Sequence, residues 1–262
     1  MKLTYDISAL IPYINWPYFF FAWQVKEEKE KKRLHTEADA FLNQLEGRYH
    51  AYAIFELYEA NSDEDDIVME GQRIPLLRQQ QGSAPFLCLS DFIRPLASGI
   101  PDRVGLFATS VDMGLETDFD ADPYQKMMAQ LLADRLAEAS AERMHEQVRK
   151  EFWGYAKDEH LSIPDMLVEK FQGIRPAIGY PSLPDTSLNF VLNELLDMRQ
   201  IGIRLTESGA MKPHASVSGL MLAHPKAHYF DLGKIGEDQL VDYARRRGLP
   251  VEVLRKFLAA NL

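Results

Sequence analysis

One uninterrupted helical pattern in the middle of the chain constrains the fold more than any other feature. The pair Asp122-Pro123 is typical of a helix start, with an aspartate N-cap and proline at the first helical position. Apolar residues then recur at helical spacing as far as Phe152. The predicted inner face consists of Met127, Leu131, Leu132, Leu136, Ala139, Met144 and Val148. The pattern therefore predicts a long central helix over about residues 123–152.

Shorter helix and strand signals flank this helix without regular alternation. Before it, Val25–Glu46 predicts an amphipathic helix, and Tyr49–Tyr58 with Ile67–Glu70 predicts a hairpin. After it, a helix is expected near Ser187–Met198. The other predicted strands are Pro85–Leu89, Arg103–Ser110, Ile203–Thr206, Ser216–Ala223 and His228–Leu232, and the closing helices are Glu237–Arg247 and Val251–Ala259. This irregular order favours the α+β class with antiparallel pairing.

Composition and charge indicate one packed domain that does not bind nucleic acid. Of the 262 residues, 46% are hydrophobic and 11% are aromatic, which is ample for a core. The sequence contains no internal repeat and no low-complexity linker. We therefore predict a single domain over residues 1–262, with a helical N-terminal part over about 1–47. The formal charge of −10 argues against a phosphate-backbone partner.

The single cysteine and the apolar N-terminus bear on cellular location. Cys88 permits no internal disulfide and fits a reducing, cytoplasmic compartment. The aromatic run Leu10–Val25 is interrupted by prolines and is shorter than the ~20 residues that a membrane span requires. A signal peptide or anchor is the alternative. We expect this run to pack in the core and to form one wall of a ligand site, with no membrane association.

Several familiar site motifs are absent or incomplete in the sequence. It has no G-x-G pair and no Walker-type loop, which disfavours a conventional dehydrogenase or methyltransferase. His224 and His228 have a spacing that suits a metal, but two histidines beside a turn are more often surface residues. The closing helices resemble a helix-turn-helix in outline, and Arg245-Arg246-Arg247 adds a basic spot that also suits a helix C-terminus. We predict neither a metal site nor DNA binding.

The proline-rich loop from Gly173 to Asp185 is the strongest candidate for a ligand site. Its prolines are expected to hold it open without strand pairing, and Gly179 would let a ligand approach the main chain. Arg175 offers paired donors that match a carboxylate, and Tyr180 offers a flat ring. The same string also fits a rigid turn whose arginine pairs with a neighbouring acid.

The central helix and a tract of small residues offer further candidates. Asp134 and Glu138 are four residues apart and share one helical face. Either both face solvent beside basic partners, or Glu138 accepts an ammonium group. The tract Thr206–Gly219 has too little bulk for a core and too few charges for a solvated surface. It therefore suggests close approach of the backbone to a large flat partner.

Ordered motifs run through nearly the whole chain, from Tyr13-Ile-Asn15-Trp to the final Leu262. The most specific are Leu132-Ala-Asp-Arg-Leu-Ala-Glu138-Ala, Trp153-Gly-Tyr155-Ala, Gly173-Ile-Arg-Pro-Ala-Ile-Gly-Tyr-Pro181, Leu205-Thr-Glu-Ser-Gly-Ala-Met211, Ala215-Ser-Val-Ser-Gly219, His224-Pro with Tyr229-Phe230, and Asp242-Tyr-Ala-Arg-Arg246. Together they resemble the C-terminal reactivation domain of cobalamin-dependent methionine synthase. The resemblance implies an α+β fold in which helices surround a bent, mainly antiparallel sheet, that is, a methionine synthase activation domain-like fold.

The resemblance also implies a ligand and a set of site residues. The family's domain binds S-adenosylmethionine and supports reductive methylation of cob(II)alamin, after flavodoxin or another reductant delivers an electron. By position, Arg175 would bind the methionine carboxylate, and Glu138, aided by Asp134, would attract the ammonium group. The remaining cofactor-binding positions would be Asn15, the main chain at Ala177 and Gly179, and the rings of Tyr180, Tyr229 and Phe230.

Three positions depart from the family pattern. Asn15 stands where an acid is usual, Phe230 where tyrosine is common, and His214 where glycine is usual. Because asparagine lacks the countercharge, one alternative is a corrinoid-docking module that no longer binds S-adenosylmethionine. Another is an activator of a different corrinoid methyltransferase.

A cobalamin site is not expected in this chain. Asp158-Glu-His160 is similar to the start of the lower-ligand motif D-x-H-x-x-G, but Ile163 stands in place of the glycine. We therefore expect cobalamin on a separate methionine synthase chain, which this protein would serve as a free-standing component that is inactive alone. No catalytic residue is predicted, because displacement at a methyl group depends on positioning rather than on a general base.

Overall fold

An antiparallel sheet organises the computed structural model, which describes residues 1–69 and 71–262. The strands are β1 Lys2–Asp6, β2 His50–Asp63, β3 Asp66–Met69, β4 Gln72–Pro75, β5 Asp102–Val111, β6 Arg204–Leu205, β7 Met211–Lys212 and β8 Ser216–Met221. The order in the main sheet is β4-β3-β2-β5-β8, and β1 pairs with the first part of β2. β6 and β7 form a short hairpin of their own. The predicted β2–β3 hairpin is confirmed as far as Met69, while Glu70 lies outside the described residues.

Helices cover this sheet, and the longest is the predicted central one. The helices are α1 Ile7–Leu10, α2 Trp16–Ala22, α3 Glu28–Leu45, α4 Gly114–Thr117, α5 Pro123–Gln147, α6 Ile163–Leu167, α7 Leu188–Leu196, α8 Glu237–Arg247 and α9 Val251–Phe257. α5 continues as a π-helical turn over Val148–Phe152. The Asp122 carboxylate caps α5 by accepting from the amide of Tyr124 at 2.8 Å. Of the predicted inner face, Met127 is instead 40% exposed.

Both faces of the main sheet are covered, because side chains along β5 alternate between two buried clusters. Phe107 and Val111 belong to the cluster formed with α3 and α5. Leu106 and Ala108 belong to the cluster on the opposite face, formed with α7. The ligand site described below lies on the α5 side of the sheet.

The predicted strand Pro85–Leu89 is wrong. This segment forms an isolated bridge between Cys88 and Arg78, and a 3-10 turn follows at Leu89–Phe92. The Arg78 guanidinium donates to the carbonyl oxygen of Phe86 at 2.7 Å and so takes an acceptor that a strand ladder would need.

The predicted strand His228–Leu232 is also wrong. Its backbone groups pair with the proline-rich loop rather than with the sheet. The amide of Phe230 donates to the Ser182 hydroxyl at 3.0 Å, and the amide of Leu232 donates to the carbonyl oxygen of Pro181 at 3.0 Å.

The N-terminal part is not purely helical over 1–47, because it opens with β1 and only then turns into α1, α2 and α3. The run Leu10–Val25 is divided by a 3-10 turn at Ile11–Tyr13. Phe19 is buried in the core, whereas Phe21 is 80% exposed. Across the residues that the structure describes, no helix combines the length and apolar character needed to cross a membrane.

Candidate functional site

A cleft of about 730 Å³ opens between the start of α2, the middle of α5 and the proline-rich loop. The expected aromatic wall is present, since Tyr13 and Tyr18 from the N-terminal run line it. The side chains of α5 form a second wall, and the segment around Tyr229 closes a third side. Of the predicted cofactor-binding residues, the cleft brings together Asn15, Glu138, Arg175, Ala177, Tyr180, Tyr229 and Phe230.

The proline-rich loop is anchored on β8, which corrects the expectation that its prolines keep it free of strand pairing. Ile174 and Leu222 exchange two backbone hydrogen bonds of 2.9 Å, and the amide of Ile178 donates to the carbonyl oxygen of Ser218 at 2.8 Å. Proline is tolerated here because the loop lies at the edge of the sheet. Pro176 takes part only as an acceptor, since its carbonyl oxygen accepts from the amide of Leu220. Arg175 is thereby fixed between two backbone anchors.

Gly219 of β8 shows why the small-residue tract is needed. A Cβ atom at this position would lie 2.2 Å from the carbonyl oxygen of Pro176 and 2.9 Å from the Cα atom of Ala177. The tract does permit close backbone approach, as its composition predicts. At Gly219, however, the approaching group is the chain's own proline-rich loop rather than a flat partner.

Arg175 is a mostly buried guanidinium with donors to spare. Its side chain is 11% exposed and its Nη2 pairs with the carboxylate of Glu142. Burial acts to lower the pKa of Arg175, but the Glu142 carboxylate holds that pKa above its usual value. Its Nε has no hydrogen-bond partner among residues 1–69 and 71–262. A buried donor of this kind favours an anionic ligand.

Neighbouring aromatic groups hold the Arg175 segment in place. The backbone amide of Arg175 donates to the Tyr229 hydroxyl at 2.9 Å. The guanidinium carbon of Arg175 lies 5.7 Å from the ring centroid of Phe107. Both contacts restrict the arginine, so little ordering is left for a ligand to impose.

Glu138, the predicted acceptor of an ammonium group, is already paired. Arg135, three residues before it on α5, binds its carboxylate with contacts of 2.9 and 3.3 Å. The Tyr180 hydroxyl lies 3.4 Å from the same carboxylate. A cationic ligand that uses Glu138 must therefore compete with Arg135.

The cleft contains two further carboxylates that the sequence did not identify. Glu169 and Asp231 line it and have no ion-pair partner within the described part of the chain. Burial raises the pKa of Glu169, and the nearby Glu142 raises it further. The charged lining thus consists of two arginines against four carboxylates, a surplus of negative charge. No motif marks Glu169, which follows α6 in a left-handed conformation with φ of 60°.

Comparisons with known proteins identify the family and the fold of this chain. The family model described as "Vitamin B12 dependent methionine synthase, activation domain" matches residues 6–248. The chain belongs to this family. Among solved structures, it is similar to the crystal structure of the MetH reactivation domain bound to AdoHcy, with a TM-score of 0.95 and 37% sequence identity. The match covers 100% of this chain and 90% of that one.

These comparisons confirm the resemblance inferred from the ordered motifs. They also confirm the α+β fold, since this activation domain has the curled antiparallel sheet and surrounding helices of its relative.

Two of the predicted site residues lie outside the cleft of this activation domain. Asp134 lines an adjoining cavity of about 230 Å³, together with His214 and Ser216. Gly179 is exposed beside the cleft, and its amide donates to the carbonyl oxygen of Leu183 at 2.8 Å. Gly179 therefore shapes the loop that presents Tyr180.

The basic and histidine clusters outside the cleft are engaged in structural contacts. Arg246 pairs with Asp66 and Asp242, and Arg247 pairs with Asp185 at 2.6 Å. The rings of His224 and His228 lie 6.2 and 5.5 Å from that of Phe92. Over residues 1–69 and 71–262, no group of three or more potential metal-binding side chains is found.

Proposed function

We propose that this activation domain binds S-adenosylmethionine in the 730 Å³ cleft and presents its methyl group to a cobalamin carried by another module. The observation that supports this most strongly is Arg175, which is mostly buried and keeps an unused Nε donor within the described structure. The methionine carboxylate would accept from this guanidinium, and the rest of the ligand would extend along the cleft.

The charge of the cleft suits this ligand. S-adenosylmethionine has one carboxylate and two positive centres, the ammonium and the sulfonium, so it is a net cation. The cleft has four carboxylates against two arginines in its lining. Its surplus of negative charge therefore attracts this donor. Among those carboxylates, Glu138 and Glu169 are our candidates for the two positive centres.

The aromatic rings suit the adenosyl part of the ligand. Tyr180 is 52% exposed at the edge of the cleft, where a planar base can cover it. Tyr229 is fixed by its hydrogen bond from the Arg175 amide, and Phe230 follows it directly. Such a ring also stabilises a soft cation by ~0.5–2 kcal/mol.

The partner would be a cobalamin-carrying module of methionine synthase, since the family is a domain of that B12-dependent enzyme. When reduced by one electron from the cob(II) state, by flavodoxin or another reductant, that cobalamin would supply the electron pair that accepts the methyl group as S-adenosylhomocysteine leaves. Arg175, Glu138 and the aromatic rings contribute binding and orientation. We expect no methyl transfer by this domain alone. A reducing, cytoplasmic setting fits this chemistry.

Calorimetry of the purified chain with S-adenosylmethionine and with S-adenosylhomocysteine tests the proposal. We expect one binding site for each. Absence of heat at sub-millimolar ligand, with docking on a corrinoid protein retained, would instead favour the docking-only alternative. Reactivation assays that supply either a methionine synthase or another corrinoid methyltransferase would identify which enzyme this domain serves.

A further inference from the structure

Asp134 lies beside the cleft, and its carboxylate forms no ion pair with a residue of the described chain. It is partly buried in the smaller cavity, and its carboxylate has no hydrogen-bond or ion-pair partner in residues 1–69 and 71–262. Burial raises the pKa of Asp134, the carboxylates of Glu138 and Glu116 raise it further, and Arg135 and His214 lower it. A carboxylate in this setting is stabilised by any cation that can reach it.

The cation within reach is Arg135, which lines both the large cleft and the smaller cavity. Its side chain is 16% exposed and is bound to Glu138. Asp134 and Glu138 are four residues apart on α5, so their side chains share one face, and Arg135 lines the smaller cavity together with both of them. Arg135 therefore has two carboxylates to choose from and satisfies one of them.

We propose that Asp134 is a positioning residue that receives Arg135 when the ammonium group of the ligand takes Glu138. This inference rests on the proposed function of the cleft. The exchange leaves Arg135 and both carboxylates of α5 paired: the ligand binds Glu138, and Arg135 moves to Asp134. Without Asp134, a ligand at Glu138 would leave the mostly buried guanidinium of Arg135 without a partner, which is energetically costly.

The exchange also links the two cavities. Arg135 leaves the boundary of the large cleft, so its charge no longer repels the cationic ligand. It enters the smaller cavity beside His214 and Ser216, whose surface then differs between the loaded and the empty domain. A partner that contacts this surface binds the two states with different affinity, and the ligand gains or loses by the same factor.

A double-mutant cycle with S-adenosylhomocysteine, followed by calorimetry, tests this assignment. That ligand has the ammonium group but not the sulfonium. We expect Asp134→Asn to weaken its binding by roughly 3- to 10-fold, because the asparagine oxygen can still accept from Arg135 but lacks the charge of the carboxylate. In the background of Arg135→Met, which keeps the apolar stem but no charge, Asp134→Asn should have no effect. Equal weakening in both backgrounds would show a purely structural role and overturn the proposal.

The unmodified protein supplies a second measurement that does not depend on the variants folding. In a crystal structure with S-adenosylhomocysteine, the guanidinium of Arg135 should contact Asp134 and the ligand ammonium should contact Glu138. Arg135 still on Glu138 with ligand bound would overturn this inference alone. No binding of the ligand to the unmodified chain would overturn the proposed function as well, so the two failures are distinguishable.

Discussion

Arg175 combines a structural contact with an unused binding capacity. One face of its guanidinium holds Glu142, while its Nε has no protein partner in the described chain. The sequence made this residue a candidate, because arginine between glycine and proline in a stiff loop is suited to a carboxylate, and the family resemblance assigned it to the ligand. The same sequence left open whether the partner is a neighbouring acid or a ligand. The structure provides the acid and leaves donors free.

We expect Arg175→Ala to weaken binding of S-adenosylhomocysteine by ~1.5–3 kcal/mol, the range for a charge-assisted hydrogen bond. Calorimetry measures the change directly. Arg199→Ala is the matched control, because Arg199 is 75% exposed, pairs with Asp197 and lies outside the cleft lining. Unchanged affinity in the Arg175 variant would remove this residue from the site.

Asn15 tests how much negative charge the cleft needs. It lines the cleft and occupies the N-cap position of α2, with no side-chain cap hydrogen bond among the described residues. We expect Asn15→Asp to tighten binding of S-adenosylmethionine, because it adds a countercharge near the ammonium. Asn15→Ala is the control for loss of the amide. Weaker binding by the aspartate variant would show that position 15 does not face a positive centre.

Other residues of the site were beyond reach of the sequence. The pairing of Arg135 with Glu138 depends on the side-chain rotamer of Arg135. The sequence alone would equally allow Arg135 to pair with Asp134. Glu169 has no motif, and only the path of the chain after α6 places it in the cleft. Partner choice among nearby charges is a three-dimensional property, which spacing on one helix does not determine.

At the scale of elements, β8 and the proline-rich loop act as one unit. We expect Gly219→Ala to push the loop away from β8, because the added methyl group would meet the carbonyl oxygen of Pro176 at 2.2 Å. The variant should lose ~1–3 kcal/mol of stability from overpacking and also bind S-adenosylhomocysteine less tightly.

Thermal unfolding and calorimetry separate these two effects. Gly47→Ala is the control, since it strains a backbone with φ of +71° where the methyl group meets nothing within 4 Å. It should reduce stability and leave affinity intact. Intact affinity in Gly219→Ala as well would show that the loop position does not control the cleft.

The end of α5 contains a histidine that makes stability depend on pH. His145 is fully buried against Phe171, with ring centroids 5.0 Å apart. Burial holds the pKa of His145 well below 6.5, and Arg149 and Arg175 lower it further. The unfolded chain therefore takes up a proton that the folded chain refuses. Stability is complete above the ordinary histidine pKa and falls as the pH drops below it.

We expect this single histidine to lower the free energy of unfolding by up to ~1.4 kcal/mol for each pH unit below the ordinary histidine pKa. Urea unfolding at a series of pH values measures the slope. His145→Phe, which keeps an aromatic contact with Phe171, should flatten it. An unchanged slope in His145→Phe would assign the acid sensitivity to other groups.

Element prediction succeeded where the pattern was long and failed for two of the short patterns. α5 and α8 follow from sustained periodicity and clear end signals, and α8 begins and ends where the sequence predicts. Pro85–Leu89 has the composition of a strand, but its carbonyl oxygen at Phe86 is taken by the Arg78 side chain. A five-residue pattern does not reveal such a competitor.

At the scale of the whole molecule, the sheet with helices on both faces places four separate chain segments around one cleft. The start of α2, the middle of α5, the proline-rich loop and the segment around Tyr229 are far apart in sequence and meet there. The family resemblance predicted that these segments form one site. Pattern analysis alone predicted the α+β class but not its topology. Cobalamin would be provided by a different module.

A crystal structure of this domain with S-adenosylhomocysteine tests the central claim most directly. We predict that the ligand lies in the cleft with its carboxylate on the Arg175 guanidinium and its adenine beside Tyr180 and the Tyr229-Phe230 pair. An empty cleft at saturating ligand, or a ligand bound with its carboxylate away from Arg175, would contradict the account.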